Sequence, residues 1–173
     1  MNYIQELKKI NACTNAVKWS KDYLTFKDAW EKCERADWML WIAGKLCKTE
    51  KRRKEIILTA CICARRSLKY IPKEDKRPLK AIQMAEKWAK NIKDVTLQDV
   101  KNAADVAAAD AAAVYAAAAA NAIAYATVAA AVDAADVAAA AAADDDDAVK
   151  TKELKIMSNI VRKYLSIPKF IIK

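Results

Sequence analysis

The sequence predicts an all-α fold, a compact helical bundle of about six to eight helices, and three observations predict it. Turn formers are scarce: Gly44, Pro72, Pro78 and Pro168 are the only glycine and prolines in 173 residues, too few for the turns that a sheet of short strands requires. Apolar residues recur at three- and four-residue spacing in several stretches, most of them preceded by a capping residue. The segment from Ala103 to Ala148 holds 28 alanines in 46 residues, and alanine has the highest helix propensity of any residue. A chain of this length is near the usual size of one domain. Residues 1–173 therefore read as a single helical domain, with a basic helical body at 1–95, an alanine-rich helical tract at 96–148 and a C-terminal helix at 149–173.

Helix punctuation is legible from Thr25 onward. T-F-K-D places a threonine N-cap ahead of an acid at N3, an acidic variant of the capping box, and opens a helix through Trp30 and Cys33. Asp37 is the expected cap of the next helix, W-M-L-W-I-A, which ends near Gly44, so two short helices meet in a tight corner. Thr49 precedes an amphipathic stretch in which Ile57, Ala60, Cys61, Ala64 and Leu68 form a core-facing stripe, ended by Pro72. Pro78 fits the first position of a helix running to about Asn91 with Ile82, Ala85 and Ala89 inward, and Thr96 with Asp99 repeats the cap signature. In the last helix Leu154, Met157, Val161 and Leu165 make another stripe, ended near Pro168.

The alanine-rich tract is the oddest region. As one helix over 97–143 it would be roughly 70 Å long at about 1.5 Å per residue, longer than a compact domain of this size. It is expected either to break, near Asn121 or Thr127, or to pair with other chains. Its larger side chains, among them Val106, Val114, Tyr115, Ile123, Tyr125, Val128, Val132 and Val137, spread around the helical wheel, the mark of a helix covered on all sides. Self-association through this tract, with a dimer as the first form, is the resulting expectation. Asp144 to Asp147 read as the solvated corner before the last helix.

Charge is uneven. Residues 1–100 carry +10, residues 101–149 carry −7 and residues 150–173 carry +6, for a net of +9. A basic body and an acidic arm in one chain attract each other, which weakens a simple nucleic-acid reading. The start, MNYIQELKKI, lacks the apolar core of a signal peptide, and the aspartates of the alanine tract argue against a membrane span. Five cysteines without a CxxC pair read as reduced, mostly buried thiols, with Cys61 and Cys63 pointing to different faces of one helix. The expected location is the cytoplasm of a bacterial host.

The chain has no histidine, which removes the commonest general base, triad member and metal ligand. It has no glycine-rich loop for a nucleotide phosphate. No enzyme, no cofactor and no metal is therefore expected. What remains is an aromatic and basic constellation: Trp30, Trp38, Trp41 and Trp88 with Arg35, Lys45, Arg65, Arg66 and Arg77, and Asp37 among them. Arginine forks suit phosphate or carboxylate, and tryptophan supplies a stacking face or an anchor. The competing reading of the same residues is a core of tryptophans flanked by structural arginines.

The motif order W-E-K-C-E-R-A-D-W-M-L-W at 30–41, R-R-K-E-I-I-L-T-A-C-I-C-A-R at 52–65 and R-P-L-K-A-I-Q-M-A-E-K-W at 77–88, then an alanine tract and a short terminal helix, resembles the immunity proteins of bacterial polymorphic toxin loci and phage genomes. The resemblance covers residues 11–166. Trp30, Cys33, Asp37, Trp38, Trp41, Arg65, Pro78, Glu86 and Trp88 fall on its motifs. It implies a helical, non-catalytic protein that neutralises a protein toxin by binding it. The alternative is a phage-encoded sponge that sequesters an anionic nucleotide immune signal, such as a cyclic nucleotide or an ADP-ribose derivative. General nucleic-acid binding ranks third. Fewer tyrosines in the tract and a lysine-rich body depart from the family pattern.

Overall fold

The computed structural model describes residues 3–70, 73–92, 94–96, 98–100, 102–103 and 147–170. Among them the architecture is all-helical, with no strand. In chain order the helices are α1 (Tyr3–Lys9), α2 (Thr14–Ser20), α3 (Phe26–Lys32), α4 (Ala36–Lys45), α5 (Glu50–Ser67), α6 (Arg77–Ala89) and α7 (Asp147–Tyr164), with a 3₁₀ turn at Leu68–Tyr70. The expectations for the break or pairing of the alanine-rich tract and its role in self-association lie outside the described residues, as do Asp144 to Asp146 of the expected Asp144–Asp147 corner, whereas Asp147 begins α7.

Capping chemistry sets the boundaries. The Thr25 hydroxyl accepts from the Asp28 N–H at 3.0 Å while the Asp28 carboxylate accepts from the Thr25 N–H at 3.2 Å, closing the expected capping box on α3. Thr49 accepts from the Arg52 N–H and opens α5. The Thr96–Asp99 signature forms the same reciprocal pair. Proline occupies the first turn of α6, where no backbone donor is needed. One expected cap differs: α4 begins at Ala36 with Arg35 as its N-cap and no side-chain cap bond. Asp37 lies inside the first turn, where its carboxylate is held by the Arg35 fork instead of by backbone donors.

Two further helices precede the first one legible in the sequence. Cys13 caps α2, its sulfur accepting from the Ala16 N–H at 3.4 Å, and cysteine is not a residue from which a cap is read. The Tyr3 hydroxyl donates to the Ser20 carbonyl and, at 3.0 Å, to the Tyr23 carbonyl, tying α1 to the end of α2.

Helix α5 is the central element and is apolar on two faces. Ile57 and Cys61 meet Ile82, Ala85 and Ala89 of α6, with Ala64 and Leu68 packed alongside. Ile56, Ala60 and Cys63 belong to a second, larger cluster with Trp30, Met39, Leu40, Met157, Val161 and Leu165. At 3.6 residues per turn, positions two apart lie about 200° apart around the axis, so the Cys61 thiol reaches the Ile82 carbonyl of α6 and the Cys63 thiol the Met157 carbonyl of α7. The stripe read from the sequence is only one of the two faces, and its Ala60 belongs to the other. Leu154, Met157, Val161 and Leu165 are all buried, as their spacing predicts. Full burial contributes roughly 1.5–3 kcal/mol for each large side chain, and Met39, Leu40, Ile56, Met157, Val161 and Leu165, among the largest fully buried side chains, all lie between α4, α5 and α7.

Candidate functional site

Helices α1 to α4 enclose a cleft of about 380 Å³, within the usual size range of small-ligand sites. Its lining is mainly apolar and aromatic: Leu7 from α1, Ala16 and Trp19 from α2, Phe26 and Trp30 from α3, and Trp38, Met39, Trp41 and Ile42 from α4. The polar lining is small, consisting of Asn11, Cys13 and Asn15 at the α1–α2 corner, Ser20, and the Arg35–Asp37 pair. Asn11 holds the left-handed backbone conformation that ends α1, with φ of 61°, a conformation asparagine tolerates better than most residues.

The aromatic rings support one another. Trp19 meets Trp38 edge-on with centroids 5.8 Å apart and leans on Tyr23 at 4.6 Å. Phe26 lies 6.3 Å from Trp30, which is itself buried. The Arg35 guanidinium stacks 4.7 Å above the Trp38 ring and forks onto Asp37, whose side chain is 1% exposed. A buried carboxylate is costly unless paired, so Arg35 is fixed by two demands at once. Its charge is balanced within the cleft wall.

Helix α7 holds the cleft from behind. Arg162 donates to the carbonyls of Cys33 at 2.7 Å and Trp30 at 3.2 Å, which belong to the C-terminal end of α3 and have no helical partner. Its other nitrogen donates to Ser158 and Asn159, each at 2.8 Å. One arginine therefore fixes the α3–α4 corner from 129 and 132 residues away in sequence. Beneath that corner the Cys33 thiol donates to the Arg35 carbonyl, and burial pushes its pKa up to about 11. At neutral pH it is a thiol and not a nucleophilic thiolate.

The structure separates the residues singled out from the sequence into two groups. Trp30, Arg35, Asp37, Trp38 and Trp41 come together in the cleft. Arg65, Arg66, Arg77 and Trp88 line other parts of the body. Arg65 makes a bidentate pair with Glu86 at 2.7 and 2.8 Å, joining α5 to α6 and holding the Glu86 carboxyl below its usual range. Arg66 and Lys69 both reach the buried Glu153 of α7. Burial pushes the Glu153 pKa up, but the two cations outweigh it and the net shift is downward. Arg77 folds back on Asp75 at 2.8 and 2.9 Å. Trp88 packs on the α5–α6 cluster under the Lys54 ammonium, 5.5 Å from its ring centre. Trp19 and the asparagines are the additions that the sequence reading lacked. The one signal Trp19 offered was being a fifth tryptophan in the chain.

No family model, no curated protein and no solved structure matches the chain. The cleft can seat a planar or apolar group against indole faces and offer it amide hydrogen bonds. Among the described residues no cluster of three metal-ligating side chains occurs, and no helix of the described residues is long and apolar enough to cross a membrane.

Proposed function

We propose that the chain is a non-enzymatic neutralising protein of the immunity type, which sequesters a protein toxin by seating one of its side chains in the aromatic cleft of α1 to α4. The observation that carries this reading is the cleft itself, in which five of the residues expected to bind a partner converge around indole rings. Aromatic pockets of this kind are where binding energy concentrates in protein interfaces. The nucleotide-sponge reading needs several arginines turned toward a ligand. Arg65, Arg66 and Arg77 are instead turned onto carboxylates of the same chain.

Co-expression with any toxin encoded beside this chain tests the reading. The expected result is rescue of growth by the wild type and its loss in Trp38→Ala and Trp41→Ala variants that keep the helical content of the wild type. Rescue by both variants at wild-type level overturns it. Titration calorimetry against cyclic nucleotides and ADP-ribose is the control: submicromolar binding there, lost in Arg35→Ala, would move the conclusion to the sponge.

A further inference from the structure

The charges on the four helices around the cleft are not evenly satisfied. Between Tyr3 and Lys45 they comprise eight cations and six carboxylates. Glu6 takes Lys9, Glu31 takes Lys27, Asp37 takes Arg35, Glu34 takes Lys155 of α7, and Asp28 is engaged in the α3 capping box. Lys8, Lys18, Lys21, Lys32 and Lys45 are exposed and make no ion pair among the described residues, against the single carboxylate of Asp22. Lys8, Lys18, Lys21 and Lys32 are each the immediate neighbour of a residue that lines the cleft, and Lys45 lies 5.6 Å from the Trp41 ring centre. The cation of the cleft wall, Arg35, is neutralised by Asp37, so the attraction to an anion comes from lysines outside the cleft while its interior stays apolar.

A large apolar side chain stands beside this arrangement. Leu24, on the turn between α2 and α3, is 96% exposed and lies between Ser20 and Phe26, both of which line the cleft. A small molecule seated in about 380 Å³ would leave Leu24 in water. A polypeptide continuing past the cleft would cover it.

From these juxtapositions we infer that the cleft receives an aromatic side chain carried on an acidic segment of a protein partner, with the indoles of Trp19, Trp38 and Trp41 gripping the ring and the exposed lysines meeting the flanking carboxylates. This rests on the reading of the cleft as the toxin-binding site and adds the chemistry of what enters it. A protein segment is favoured over single-stranded nucleic acid because stacking on bases needs ring faces open to solvent. Here one face of Trp38 is taken by Arg35 and one of Trp41 by Lys45, and Trp30 is buried, so the indole surface left in a cleft of about 380 Å³ takes a single ring and not a run of stacked bases. Ring insertion into a concave site combined with rim attraction is the expected anatomy of a protein interface.

The test uses the full chain and three blocked pentapeptides, Asp-Glu-Trp-Glu-Asp, Asp-Glu-Ala-Glu-Asp and Lys-Lys-Trp-Lys-Lys, with single-stranded oligothymidylate as a fourth probe. The indole N–H signals of Trp19, Trp38, Trp41 and Trp88 are followed by NMR. The expected result is that the acidic tryptophan peptide moves the first three signals and not the fourth, with a Kd of about 1 mM or tighter. Its affinity should fall at least about threefold between roughly 0.05 and 0.3 M salt, and by a similar factor in Lys18→Glu/Lys45→Glu. Equal binding of the alanine or the basic peptide, immobile cleft signals, or tighter binding of oligothymidylate overturns the inference. Toxin rescue supplies the separation from the underlying reading. Rescue that is lost in Trp38→Ala but untouched by the double lysine reversal overturns the acidic-segment inference alone, whereas rescue indifferent to Trp38→Ala overturns both.

Discussion

Raising the pH from about 8 to about 10 should destabilise this fold steeply through its buried thiols. Burial pushes Cys61 and Cys63 up to about 12 and Cys33 up to about 11, whereas an unfolded cysteine titrates near about 8.5. Because the folded values are raised, the stability these thiols contribute is present in full below about pH 8.5. It is lost as the pH climbs toward the folded values. At pH 10 each thiol has given up on the order of 1–2 kcal/mol, and the three together roughly 4–6 kcal/mol, a large part of the stability of a typical domain. Urea unfolding followed by tryptophan fluorescence at several pH values measures this. Between pH 9 and 10 the Cys63→Ala variant should lose stability less steeply than the wild type by about 1 kcal/mol per pH unit, the share of one thiol. A single variant suffices, because lysine and tyrosine titration is common to both proteins and cancels in the difference. Equal slopes in the two proteins would refute the reasoning, as would rapid native-state reaction of Cys61 or Cys63 with a thiol reagent at pH 8, where the exposed Cys13 reacts.

Arg162→Ala removes the charged donor that satisfies two carbonyls of α3, Ser158 and Asn159. It should cost about 3 kcal/mol and shift the cleft tryptophan emission, while Arg162→Lys recovers only part of the loss. Glu153→Gln leaves Arg66 and Lys69 without their shared carboxylate. Because both cations are partly exposed, the expected loss at pH 7 is about 1–2 kcal/mol. Since the Glu153 pKa is lowered in the fold, its contribution is present above the ordinary carboxylate range and disappears as the pH falls through the folded value. The wild-type advantage over Glu153→Gln, followed by chemical denaturation between pH 7 and pH 3, should shrink toward acid. Thr25→Ala opens the α3 capping box and should cost about 1 kcal/mol in the same assay, with little effect from Thr25→Ser.

The local features of this fold were legible in the sequence because they depend on residues a few positions apart. The capping boxes at Thr25 and Thr96, the Thr49 cap, the proline in the first turn of α6 and the opposed directions of Cys61 and Cys63 all follow from helix geometry alone. The inward faces of α6 and α7 follow from apolar periodicity for the same reason. Periodicity says which face is apolar but not what covers it, so the second buried face of α5 waited on the packing of α4 and α7. The arginines show the same boundary more sharply. Their number and flanking aromatics suggested one binding constellation, yet an arginine pairs with whichever carboxylate the fold brings within reach. Tertiary structure brought Glu86 to Arg65 and Glu153 to Arg66, 21 and 87 residues away, and of the four arginines singled out it left Arg35 alone in the cleft with the tryptophans. It also carried Trp19 and the α1–α2 corner into the cleft and placed Arg162 behind it, contacts that no local pattern encodes. Sequence by itself determined the helices and their apolar faces, because those are set within a turn or two of chain. Tertiary structure alone decided which charges are spent internally and where the aromatic cleft opens, because those depend on distances between residues far apart in the chain.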